Sequence, residues 1–153
     1  VIGIGITLDA LKLLFSGGAP PPTPGDPVWT KVTKTYTDLA AASNANSITL
    51  TSLAAKTALH AVVIKHTEKF GGGGLLDYAV SVGIAGDTTK FSTFFDVLQN
   101  VGDTTAQATD TGCALENFGA ATDIILSAGC TGALLSDASQ GSVDIYLYTS
   151  ELP

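Results

Sequence analysis

The chain has 153 residues, of which 45% are apolar and 14% charged, with a net charge of −7 and a mean hydropathy of +0.34. A domain of this length buries roughly 70% of the surface its unfolded chain exposes, so it needs no staple to fold. Its seven cationic residues are scattered lysines with no arginine among them, which excludes a nucleic-acid ligand: there is no fork to read bases and no patch to displace phosphate counterions.

Residues 1–18 read as an N-terminal arm. Val1 to Ile6 is apolar or alternating, as in a short strand or extended segment. Thr7 is placed to cap a short helix, with Asp9 in its first turn and Leu8, Leu11, Leu14 and Phe15 on one side. Ser16-Gly17-Gly18 ends it. The run is too short and too polar for a membrane span, and it lacks the basic start of a secretory signal. Residues 19–27 hold five of the six prolines and predict a polyproline-type spacer. An apolar arm on a stiff spacer suits a part that plugs into something larger. The candidate partner-binding residues are therefore Val1, Ile2, Ile4, Ile6, Leu8, Leu11, Leu14 and Phe15. The alternative is an arm folded back on its own domain.

Residues 28–153 read as the body. Val28 to Thr37 is Thr-rich and alternating, a first strand, and Ser47 to Leu53 is a second after an Ala/Ser/Asn connection. Ala58 to Lys69 and Leu75 to Ile84 are strands separated by Phe70 and four glycines. Phe91 to Val101 fits both periods and is read as a strand preceded by a helical turn. Thr104 to Thr111 and Ala120 to Ala128 follow, and Ser136 to Gln140 turns into the last strand. There Val143, Ile145 and Leu147 point one way, and Ser142, Asp144, Tyr146 and Tyr148 the other. About eight strands joined by Gly/Asp/Thr turns predict an all-β, jelly-roll-like β-sandwich. Few charges and many small residues suggest a surface partly covered by partners; a Thr-rich surface on a monomer is the alternative.

The chemical motifs are weak. His60 and His66 fall on one strand about 20 Å apart, too far to share a metal within one subunit, and read as surface or interface residues. Gly71 to Gly74 lacks the Gly-Lys-Ser/Thr of a phosphate loop and reads as a flexible or tightly approached loop. Asp87, Asp103, Asp110 and Asp123 sit near turns without a calcium-loop pattern. No Gly-x-Ser-x-Gly elbow occurs, so no catalytic residue, cofactor or metal site is expected. Cys113 and Cys130 leave open either one disulfide or two free thiols.

Three passages carry a resemblance: Trp29 to Leu39, Leu59 to His66 with Tyr78 to Ile84, and Gly141 to Tyr148. In strand grammar the chain resembles the small β-sandwich virion proteins of tailed bacteriophages, either capsid decoration (cement) proteins or head-fibre and tail-fibre domains. The resemblance implies a jelly-roll-like homotrimer seated on a shell of major capsid protein at the virion surface, without catalytic residues. The alternative is a receptor- or glycan-binding fibre tip that uses the loops and the tyrosines of the last strand.

Overall fold

The computed structural model describes residues 25–101, 106–109 and 116–152, with 106–109 and 116–118 described as backbone. The arm and most of the spacer lie outside the described residues. Nine strands form two antiparallel sheets: β1 (Val28–Thr35), β2 (Ala45–Leu53), β3 (Thr57–Gly71), β4 (Asp77–Gly83), β5 (Phe95–Asp96), β6 (Ala106–Thr109), β7 (Glu116–Phe118), β8 (Thr122–Thr131) and β9 (Gln140–Glu151). The first sheet runs β1-β9-β3-β6, with β7 also on β3; the second runs β2-β8-β4-β5. Because β6 and β7 share one flank of β3, nine strands fill eight positions. That order is a jelly roll, two four-strand layers interleaved by Greek-key connections.

Alternation decides which face of each strand is buried. Val143, Ile145 and Leu147 of β9 are fully buried, as are Val62 and Ile64 beside them on β3. Across the sandwich they meet Tyr78, Val80 and Val82 of β4 and Ile124 and Leu126 of β8. A backbone bridge joins the layers where β5 ends: Val97 N–H donates to Tyr78 O (2.9 Å), and Phe70 N–H donates to Val97 O (3.0 Å). The opposite side is closed by α1 (Tyr36–Leu39), whose Leu39 is fully buried. Asp38 accepts from Thr35 N–H (2.8 Å) and Thr35 Oγ1 (3.0 Å), bonds that hold its carboxyl below the ordinary carboxylate range.

Several expectations need correction. The first strand stops at Thr35, because Tyr36 to Leu39 turns helical and carries Leu39 into the core. Phe91 to Val101 contains only the two-residue β5 and no helical turn. Phe91, Phe95 and Val97 are buried while Phe94 stands exposed, so the burial pattern follows neither regular period for long. β7 was not expected at all. The Gly71 to Gly74 run is tightly approached: Ser139 N–H donates to Gly71 O (2.8 Å), and a Cβ on Gly72 would meet Asp137 O at 2.5 Å.

Two features of the core generate predictions. Gly141 has φ +137, and a Cβ there would clash with Phe70 Cγ, Cδ1 and Cδ2, whose ring packs on Tyr78 at 4.7 Å. Gly141→Ala should therefore destabilise the protein by about 3 kcal/mol, read as a lower urea midpoint with the slope unchanged. His66 is fully buried against Phe95 (5.8 Å), and neither ring nitrogen has a hydrogen-bond partner among the described residues. His66→Leu should raise the urea midpoint by about 1 kcal/mol of stability, since it removes desolvated polar atoms that gain nothing. A lower midpoint would mean that a group outside the described residues bonds the imidazole.

Candidate functional site

The outer face of the first sheet is where exposed aromatic groups meet fixed polar ones. Register builds it row by row. Trp29, Tyr148 and Ala61 stand side by side on β1, β9 and β3; below them come Lys31, Tyr146 and Val63, then Thr33, Asp144 and Lys65. Trp29 stacks on Tyr148 with centroids 4.6 Å apart and planes 21° from parallel, yet 52% of its surface remains exposed. Such a ring pair contributes about 1 kcal/mol beyond its burial.

His60 completes the row through a backbone irregularity. The β3–β9 register shifts between Leu59 and Ala61, so His60 and Ala61 are both turned to the outer face, as a β-bulge allows. The His60 ring lies 5.7 Å from Tyr148, and its Nε2 is 2.7 Å from Ser150 Oγ. The expectation of two surface histidines is thus half right: His60 lies at the surface, partly exposed, whereas His66 faces the core.

Lower on the same face, Asp144 is almost fully buried and its charge is balanced locally. It accepts from Thr33 Oγ1 at 2.6 Å, and Lys31 Nζ lies 3.6 Å from its other oxygen. The face therefore combines flat rings, a held imidazole and a nearly neutral ion pair on rigid strands. It can stack against a flat or ridged apolar surface and offer hydroxyl, indole and imidazole groups to carbonyls.

The other candidates resolve as follows. The arm residues Val1, Ile2, Ile4, Ile6, Leu8, Leu11, Leu14 and Phe15 lie outside the described residues, as do Cys113, Asp103 and Asp110. Asp87 holds Thr89 through its N–H and hydroxyl (both 3.3 Å), and Asp123 accepts from Ser52 Oγ. Among the described residues no three His, Cys, Asp or Glu side chains come together as a metal site. Cys130 is a buried free thiol whose Sγ approaches Ala133 O at 3.3 Å. Burial, then the nearby carboxylates of Asp137 and Asp77, pushes that thiol up from its ordinary value. Burial likewise pushes the Tyr78 phenol up.

A cleft of about 410 Å³ opens between the layers where the described chain begins, lined in part by Asp26, Val28, Leu53, Thr57, Thr149 and Glu151. Among the described residues, hydroxyls and two carboxylates line it, without a histidine, cysteine or lysine to pair with them as base or nucleophile. Toward the far end of the sandwich Leu76, Leu134 and Phe94 are exposed, with Leu134 at one shallow hollow and Phe94 at another. No helix among the described residues is long and apolar enough to cross a membrane. Sequence reading missed the Trp29–Tyr148–His60 row because it needs the β1–β9 pairing and the His60 bulge. The alternation of the last strand pointed only to its tyrosines.

No protein-family model matches the chain, and no curated protein matches it. Solved structures do. A chain of the cyanophage Pam1 capsid asymmetric unit is similar, with a TM-score of 0.63 and 18% identity over 89% of this chain and 92% of that one. A chain of the Ralstonia phage GP4 capsid is similar at a TM-score of 0.51 and 15% identity, over 88% of this chain and 90% of that one. The likeness spans nearly the full length of all three chains, and it establishes that this jelly roll is a fold present in phage capsids.

Proposed function

We propose that this chain is a structural virion protein of a tailed phage, a decoration (cement) protein or head-fibre protein that docks on the shell of major capsid protein and stabilises it. The observation that carries the reading is whole-length likeness to chains of two phage capsids. A likeness confined to a few strands would speak only for a common sandwich; here it covers 89% and 88% of this chain.

The physical character of the molecule supports the same reading. Polar residues on both sheets are engaged in structural pairs, such as Asp144 with Thr33 and Lys31, and Asp123 with Ser52. Exposed apolar side chains remain at both ends, Val28 and Trp29 at one and Leu76, Phe94 and Leu134 at the other. Such surface suits a molecule that spends its working life against neighbours. In this proposal Val1, Ile2, Ile4, Ile6, Leu8, Leu11, Leu14 and Phe15 insert into the shell, and the body associates as a homotrimer on its surface. Burying these eight side chains would supply the affinity, since each contributes about 1.5–3 kcal/mol when fully removed from water, less the cost of ordering the arm.

The test is deletion of residues 1–18. The truncated chain should fold with an unchanged thermal midpoint, keep the trimer mass by light scattering, and fail to co-sediment with capsids that lack this protein. Co-sedimentation equal to that of the full chain would overturn arm anchoring. A full chain that stays at its 15.5 kDa monomer mass, with the truncated form also at its own, smaller monomer mass, would overturn the trimer.

A further inference from the structure

We infer that the outer edge of β1 is a self-association site, where a second copy of this chain lays its own β1 antiparallel about a two-fold axis at Val32. The arguments are edge, register and charge. All come from residues 28–35 and their neighbours, and none depends on the virion reading.

The edge is open and regular. β1 pairs with β9 residue for residue, without a bulge, and among the described strands nothing pairs with its other flank. It holds neither proline nor glycine, and Val28 to Lys31 are all exposed. The other flanks are poorer templates: β2 breaks register between Thr49 and Thr51, and β5, β6 and β7 are two to four residues long. Of the devices that blunt an edge strand, β1 carries only its two lysines, Lys31 and Lys34.

Those lysines select the register. Side chains alternate, so a two-fold axis normal to the sheet keeps both outer faces on one side only when it passes through a residue. Centred on Lys31, the two copies set lysine directly against lysine, which is repulsive. Centred on Thr30, the ladder runs into Pro27; centred on Thr33, it runs into the helical turn at Tyr36. Centred on Val32, Trp29 meets Thr35, Thr30 meets Lys34, Lys31 meets Thr33, and Val32 meets its own counterpart. No two lysines are opposed, and a β-branched pair lies on the axis. Thr35 N–H is already donated to Asp38 (2.8 Å), so the ladder ends there.

Charge and exposure agree with this occupant. Lys31 is balanced within its own chain by Asp144 at 3.6 Å, and Lys34 lies within electrostatic reach of Asp38. Pairing therefore gathers no uncompensated charge on the axis. Trp29 has one ring face on Tyr148 and 52% of its surface open, and Thr35 of the second copy would stand beside it on the outer face. A second β1 is also a strand before it arrives, so it docks without the ordering cost an unstructured segment would carry.

The contact is small. About seven residues a side, against the roughly 20–30 of a standard interface, make a transient association. It is separate from the proposed homotrimer and is read as a rise above whatever mass the dilute protein has.

Thr30 tests both the edge and the register, because it is exposed and faces Lys34 across the axis. Sedimentation equilibrium would compare the native chain with Thr30→Glu and Thr30→Lys, each checked for an unchanged urea midpoint. The native weight-average mass should climb between roughly 10 µM and 1 mM, as a transient interface demands. Glutamate creates two symmetry-related pairs with Lys34 and should tighten association about fivefold, whereas lysine should weaken it about fivefold. A native mass that stays constant to 1 mM would overturn the inference. Equal association in all three proteins would overturn it by placing the contact on another surface, and equal weakening by both variants would overturn the Val32 register. The measurement uses isolated protein without a shell, so its failure leaves the proposed virion role untouched.

Discussion

Strand β9 holds the first sheet together. Among the described residues β1 pairs with no other strand, and β3, the longest described strand, lies along the opposite side of β9. The consequence is topological: residues 28–35 find their place only after the chain has closed a loop of more than a hundred residues, as the Thr33–Asp144 bond across 111 positions shows. Closing so long a loop costs only slightly more than closing one half as long, but it must be done before any contact rewards it. The pairing of β1 with β9 is thus expected late in folding, after β3 and β9 have formed a surface to receive it. The site on the outer face inherits that order, because Trp29 comes from β1 and Tyr148 from β9.

Much of this was legible in the residues. β9 announced itself by strict alternation over Val143, Ile145 and Leu147, and each of those side chains is fully buried. β3, β4 and β8 were legible for the same reason. The misses have physical causes. α1 is a single turn of Tyr-Thr-Asp-Leu, too short for a 3.6-residue period to show, and it exists because Leu39 fills the core at the side of the sandwich. The Phe91 to Val101 segment follows backbone bonds to Val82 and Tyr78 rather than a periodic face, so its phenylalanines read as ambiguous. The opposite facing of His60 and His66 turns on one bulge, and a one-residue irregularity leaves no trace in composition.

The buried face also explains why the outer one has the character it has. Core-facing positions of β9 and β3 are aliphatic, and the positions between them had to accept water or a partner. On β9 those positions are Ser142, Asp144, Tyr146, Tyr148 and Ser150. The lower ones are held by Thr33 and Lys31, and the upper ones by Trp29 and His60. The face is therefore graded along its length. It is charged but locally neutral near the end of β1, and aromatic near its start, where the proline segment is attached.

Edges complete the argument. A strand with unpaired backbone groups is a template for other chains, and jelly rolls have four such flanks. β5, β6 and β7 are two to four residues long and offer little ladder, while the register of β2 breaks between Thr49 and Thr51. β1 is different: eight residues, exposed along most of its length, with Lys31 and Lys34 as its only charges. Among the described strands, its outer edge is the long flank with unbroken register, where a second copy of an apolar, sparsely charged protein could pair without rearrangement.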